Sequence, residues 1–276
     1  MSSVSPSSGE RPSLSVLTPA YEAGRFLPSA LASVAGRGVQ HVVMDGGSRD
    51  GTVALLEAAP EVLWRSEPDR GQSHALNKAL AEAQGEWIGW LNADEFYLPG
   101  VLDWVQRRLA VGDVDVLYGD WAEVDTDGRL LRLVTNHGWS PTVLRRVGCY
   151  VPSCATFVRR ELLEQVGGWR EDLRTLMDLD LWLRLDGAHY RYLPRTLTAF
   201  RIHPGQVTAA GHSEADLAEF AELRRRHGIT RNLATRGAGR AAHMALKLAS
   251  GGYLRQFRST GAGGVSAARR APAPSR

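Results

Sequence analysis

From residue 14 to residue 91 the chain alternates two signals: short, uniformly apolar runs of strand length, and longer stretches with apolar residues at helical spacing. The runs at 15–18 (SVLT), 41–44 (HVVM), 62–64 (VLW) and 87–91 (WIGWL) read as buried strands, and residues 26–34, 52–58 and 73–83 read as helices. Strand–helix–strand units joined by short loops build a mostly parallel sheet with helices on both faces, an α/β fold. Sheets of that kind bind ligands at the carboxyl ends of their strands. The loops at those ends read PAYEAG (19–24), DGGSRDGT (45–52), SEPDRGQS (66–73) and NADEFYLPG (92–100), richer in carboxylates and glycine than connection alone requires.

Beyond residue 100, strands are expected at 115–118, 130–134 and 197–202, and helices at 160–166 and 179–185. A helix runs from 213 to about 227 and a weak one spans 241–248. The expected organisation is a disordered Ser/Pro-rich leader (1–13), a catalytic domain (14–212), a helical basic extension (213–259) and a disordered tail (260–276). The leader lacks the apolar core of a signal peptide, and no run of about 18 apolar residues suits a membrane span.

Charge divides the chain unevenly. Of 33 Lys and Arg, 12 fall after residue 222, and none of the 30 Asp and Glu do, so residues 1–222 hold 21 basic against 30 acidic groups, a net −9. An acidic body without a basic stripe argues against nucleic-acid binding. The basic C-terminal segment interleaves Met244, Leu246, Leu248, Tyr253, Leu254 and Phe257 with Lys247 and Arg255, a pattern suited to peripheral contact with an anionic membrane face. Cys149 and Cys154 lack partners for a zinc set and read as reduced thiols, which favours a cytoplasmic protein.

Five positions carry candidate chemistry. Asp45 ends a strand before two glycines, where its carboxylate would accept from a nucleobase N–H or a ribose hydroxyl; the competing reading is a plain strand-to-helix turn. Asp94 follows Asn92 and Ala93 at another strand end, placed to bind a hard divalent cation that bridges diphosphate oxygens, with Asn92 offering a carbonyl oxygen. Arg70 precedes a helix N-terminus suited to an anion. Asp178 begins a helix and is a candidate general base, or else a carboxylate favouring the helix dipole; Asp180, two residues on, points elsewhere. His203 is a metal ligand or a donor to the diphosphate.

In order and spacing, SVLTPAY (15–21), MDGGSRDGT (44–52), SEPDRGQSHALNKAL (66–80), GEWIGWLNADEFYLPG (85–100), CATFVRRELLEQVGGW (154–169), MDLDLWLRL (177–185) and FRIHPGQVT (200–208) resemble the family 2 glycosyltransferases, inverting enzymes of the GT-A fold. The resemblance covers residues 14–208. It implies a nucleotide diphosphate sugar as donor and an unidentified hydroxyl acceptor. It implies donor contacts from Pro19, Tyr21, Glu22, Asp45, Arg70, Asn92 and Ala93, Mn²⁺ or Mg²⁺ at Asp94 and His203, and Asp178 as catalytic base. Three positions depart from the family pattern: Asn92 replaces the first aspartate of D-x-D, Met177 replaces the glutamate beside the base, and Glu22 stands where asparagine is common. A sugar nucleotidyltransferase would need a Gly-rich, basic loop after the first strand, which PAYEAGR does not supply, and the missing G-x-G-x-x-G argues against a dehydrogenase. Intact Asp94 and Asp178 argue against an inactive nucleotide-sugar-binding module.

Overall fold

The computed structural model describes residues 12–206, 213–230 and 232–261. The expected leader and tail lie outside these residues except at their inner edges, and so does the 212/213 division. The elements in chain order are β1 (Leu14–Ala20), α1 (Leu27–Val34), β2 (Gln40–Asp45), α2 (Thr52–Glu57), β3 (Leu63–Ser66), α3 (Gln72–Glu82), β4 (Trp87–Trp90), β5 (Phe96–Tyr97) and α4 (Val101–Leu109). There follow β6 (Val116–Val124), β7 (Leu130–Val134), α5 (Pro141–Arg146), β8 (Thr156–Arg159), α6 (Arg160–Gln165), α7 (Met177–Arg184), β9 (Tyr190–Arg201), α8 (Glu214–Arg226), α9 (Leu233–Ala249) and α10 (Gly252–Gly261).

The strands form one sheet in the order β3-β2-β1-β4-β8-β6-β9-β5, with β7 on β6. The first four pair in parallel, as the alternating pattern demands. The second half is mixed: β8 runs antiparallel to β4 and β6, β6 and β9 run parallel, and β5 and β7 add antiparallel pairs. The sheet is therefore parallel in its N-terminal half only. Its antiparallel members were hard to see because β8 has four residues and β5 two. The last strand is twelve residues long, not the six at 197–202, because its first half (YRYLPR) is too polar to read as buried strand.

Alternation along the strands feeds two cores. Leu17, Val42 and Met44 face one side with Ala75 and Leu76 of α3, Val143 of α5, Leu181 of α7 and Leu223 of α8. Val16 and Val43 face the other, against Leu27 and Ala30 of α1, Leu56 of α2 and Val105 of α4. That is the two-residue period of a sheet covered on both faces.

The expected C-terminal extension is docked. Ser250 Oγ donates to Asn136 O at 3.2 Å, Thr135 Oγ1 to Gly252 O at 3.1 Å, and Arg255 Nη2 to Tyr192 Oη at 2.5 Å. Arg255 also lies 3.6 Å from the buried Asp120, so part of the basic charge meets the acidic body.

Gly85 shows how tightly the crossover from β3 to β4 is built. A Cβ there would lie 2.5 Å from Ser15 N and 2.7 Å from Leu14 C, both backbone atoms of the central strand. Gly85→Ala is expected to destabilise the fold by about 1–3 kcal/mol, read as a lower urea midpoint in equilibrium unfolding.

Candidate active site

Strand order reverses between β1 and β4: successive units step outward through β2 and β3, and the chain then returns to β1's other edge. At such a switch point the loops leaving two adjacent strands diverge and leave a crevice. A cleft of about 760 Å³ opens there, lined by Pro19 at the end of β1, Tyr21 and Glu22 just after it, Asn92, Ala93 and Asp94 after β4, and His203 after β9.

Asp94 and His203, 109 residues apart in sequence, meet with Oδ2 and Nε2 at 3.0 Å. Arg201, 2% exposed, fixes this corner. Its Nε donates to Asp94 O at 3.1 Å, its Nη1 donates to Asp125 O and Thr126 O, and its guanidinium lies over the Phe26 and Phe96 rings. The sequence reading passed over Arg201 because one arginine beside a candidate histidine carries no signal of its own.

Asn92 does not offer a carbonyl oxygen to the cleft. Its Oδ1 accepts from Trp90 Nε1 at 2.9 Å and from Gln72 Nε2 at 2.5 Å. Indole N–H is only a donor, so the oxygen must face Trp90 and the amide NH₂ is turned away from it. Glu95 also withdraws: it is 1% exposed and accepts from Asn92 N at 2.8 Å. Burial, and secondarily the charge of Asp94, push its carboxyl up to about 8, leaving it mostly neutral near pH 7. Asp94 and His203 are thus the carboxylate and imidazole that face the cleft. No group of three or more His, Cys, Asp or Glu suited to a metal occurs among the described residues. Two protein ligands suffice where substrate phosphates and water complete the shell.

Of the sequence-predicted site residues, Asp45, Arg70 and Asp178 do not line the cleft. Asp45 is 1% exposed, and its own loops use its oxygens: Gly47 N, Ser48 N, Ser48 Oγ and Ser66 Oγ all donate to it, at 2.5–3.1 Å. Arg70 pairs with Glu171 instead. Its neighbours Asp69, Gly71 and Gln72 line the cleft. Glu22 has φ 49°, the left-handed region that asparagine tolerates well, which accounts for asparagine being common there. The strained turn is held because Ser48 Oγ accepts from Glu22 N and Glu22 Oε1 accepts from Arg49 N.

Asp178 and Asp180 diverge as their spacing requires. Asp180 is fully buried, with Arg184 Nε at 2.7 Å, His227 Nε2 at 2.8 Å and Arg170 Nε at 3.6 Å. It is a structural anion. Asp178 is half-buried, accepts from Leu179 N at 2.6 Å, and lies 3.4 Å from the thiol of the exposed Cys149. Burial raises its proton affinity above that of an ordinary aspartate. The residue before it, Met177, accepts from Ser73 Oγ of α3, whose N-terminal residues line the cleft.

An α/β sheet with a cleft at its switch point is the architecture of a ligand-binding enzyme fold, and comparison with known proteins gives its class. Residues 15–167 match the model of glycosyl transferase family 2. An uncharacterized glycosyltransferase of Mycobacterium tuberculosis is 30% identical over 247 residues, covering 86% of this chain and 90% of that protein. The O-antigen biosynthesis protein RfbC of Myxococcus xanthus is 28% identical over 82% of this chain, which spans only 18% of that protein. In fold, the chain is similar to residues 1–349 of Staphylococcus aureus TarS in complex with UDP-GlcNAc, with TM-score 0.64 and 20% identity over 78% of this chain and 65% of that one. The chain belongs to glycosyl transferase family 2 and is a glycosyltransferase of the GT-A fold.

The contrast between the two aspartates has a direct check. Asp180→Ala strands Arg184 and His227 beside a buried hole and is expected to cost about 3–5 kcal/mol, seen as a large fall in the thermal midpoint. Asp178→Asn, at a half-buried position, should leave that midpoint nearly unchanged.

Proposed function

We propose that this enzyme moves a sugar from a nucleotide diphosphate sugar to an acceptor hydroxyl in one inverting, in-line displacement. The observation that carries the reading is the meeting of Asp94 and His203 in a cleft at the β1/β4 switch point. Pro19, Tyr21, Glu22, Asn92 and Ala93 line the cleft and are assigned to the donor. Asn92 donates from its amide NH₂ to a ligand oxygen, since its carbonyl is occupied. Asp45 and Arg70 are assigned supporting roles, holding the loops that shape the donor site. Because TarS is in complex with UDP-GlcNAc, a uridine diphosphate sugar is the first donor to test.

Asp94 and His203 would hold Mn²⁺ or Mg²⁺, which when bound offsets charge on the departing diphosphate. Asp178 takes the proton from the acceptor hydroxyl. Only its ionised form accepts that proton, so transfer rises with pH through the Asp178 pKa, and burial moves this acid limb above the ordinary carboxylate range.

No helix among the described residues is long and apolar enough to cross a membrane. The outer face of α9 and α10 nevertheless exposes Met244 (53%), Leu248 (66%) and Leu254 (66%), with Arg236 and Arg240 exposed at its flank. We assign this face to peripheral contact with the anionic inner surface of the cell membrane, from the cytoplasmic side. Apolar crest and basic flank give two signals, each cation contributing about 1 kcal/mol near such a surface.

Three outcomes are expected. Exhaustive chelation abolishes UDP-sugar turnover and Asp94→Ala removes cation-dependent donor binding in isothermal calorimetry; full turnover without divalent cation sinks the metal assignment. Asp178→Asn keeps donor affinity while turnover falls about 10²-fold or more. The intact chain sediments with phosphatidylglycerol vesicles at low salt, and truncation after His227 abolishes this without loss of donor hydrolysis; equal sedimentation removes the membrane role.

A further inference from the structure

Helix α7 carries the proposed base, yet its own sequence does not cap it. The N-cap residue is Leu176, whose side chain has no acceptor; within the first turn Leu179 N is met by Asp178 Oδ1. Glu219, on α8, meets the N-cap N–H and the two N–H groups that lead into the helix. Its Oε1 accepts from Leu176 N at 2.6 Å and Thr175 N at 2.9 Å, and its Oε2 accepts from Arg174 N at 2.9 Å. Thr175 Oγ1 adds a contact of 3.3 Å.

One carboxylate thus gathers three consecutive backbone donors across more than 40 residues of sequence. Helix α8 is itself anchored. A Ser213–Asp216 capping box begins it, Leu223 is fully buried in the main core, Arg226 pairs with Asp172, and His227 reaches Asp180 of α7 at 2.8 Å. Position 177 holds the buried Met177, so no carboxylate flanks Asp178 on its N-terminal side in sequence.

We propose that Glu219 is a positioning residue for the base: from α8 it fixes the start of α7 and places a second negative charge beside Asp178. This rests on the reading of Asp178 as base. The groups facing the helix start are Asp178, the Cys149 thiol, the Arg174 side chain and Asp216, which lies against Thr175. Asp180 points away into its arginine–histidine cluster. The Glu219 charge adds to burial in raising Asp178, in the direction that brings a carboxylate closer to neutrality. The segment after the family-model match therefore contributes to the reaction centre as well as to the surface.

The test compares wild type, Glu219→Gln, Glu219→Ala and Asp178→Asn. The Asp178 carboxyl is followed by ¹³C NMR titration, assigned by its loss in Asp178→Asn, alongside hydrolysis of UDP-GlcNAc with Mn²⁺. Glu219→Gln keeps a carbonyl acceptor but loses the charge, so the Asp178 midpoint and the acid limb of hydrolysis should both move to lower pH. Glu219→Ala also loses the anchor and should lower kcat about 10-fold or more at unchanged donor KM, the cost of a misplaced group. An Asp178 midpoint identical in wild type and Glu219→Gln overturns the proposal, whatever the activity. Wild-type hydrolysis by Asp178→Asn overturns the base assignment instead, and the NMR titration still reports on Glu219.

Discussion

The cleft wall after β1 depends on a buried carboxylate that is satisfied by its own loops. Asp45 sits at the end of β2, 1% exposed, in parallel register with Ala20 of β1 and Ser66 of β3. An unpaired carboxylate there would be costly enough to unfold the strand end or to bind a proton. Four donors from its own loop and from Ser66 remove that cost. They also set the path of residues 46–48, and Ser48 in turn accepts from Glu22 N in the loop after β1. Glu22 holds its left-handed backbone only because this network receives it. Two strand ends are thereby locked together, and the cleft wall from Pro19 to Glu22 inherits their rigidity.

A second buried anion does the same work on the other side. Asp180 draws Arg184 of its own helix, Arg170 of the preceding loop and His227 at the end of α8 to one point. Removing any one partner leaves charge uncompensated in the core, so the group holds α7 and α8 in a single arrangement. Glu219 is brought to the α7 start by that docking. The four aspartates thus divide by surroundings: Asp45 and Asp180 have their oxygens consumed by buried protein donors, Asp94 lines the cleft beside His203, and Asp178 lies half-buried outside the cleft lining, against Leu179 N and the Cys149 thiol.

The parallel half of the fold was legible because its strands are short, apolar and separated by helices of clear period. The expected runs at 15–18, 41–44 and 87–91 all fall in β1, β2 and β4 or directly at their ends. The mixed half was legible only in pieces, since β5 and β8 are too short to show a period and the first half of β9, Tyr190 to Arg195, carries two arginines and a proline that mask its strand pattern. In the candidate site, Asp94, His203 and Asp178 stand out from strand-end and helix-start placement, which sequence encodes directly, and the structure brings the first two together in the cleft. For Asp45 and Arg70, sequence shows that a carboxylate or guanidinium is present and not what has already claimed it. Ser66 and Glu171 make those claims from 21 and 101 residues away.

The same limit hid Glu219. In sequence it is one of several acidic residues on an ordinary amphipathic helix, outside the matched family region. Its meaning appears only when Leu176 is seen to leave the α7 start uncapped and the fold delivers a carboxylate to that start. A helix can take its cap from its own preceding residue at little entropic cost, because the two are already neighbours. A cap recruited from another helix needs that helix ordered first, and here the ordering comes from Leu223, Asp172 and Asp180, none of which touches the cleft. The position of Asp178, the proposed base, is therefore coupled to the docking of α8: loosening any of those anchors loosens the start of α7 as well.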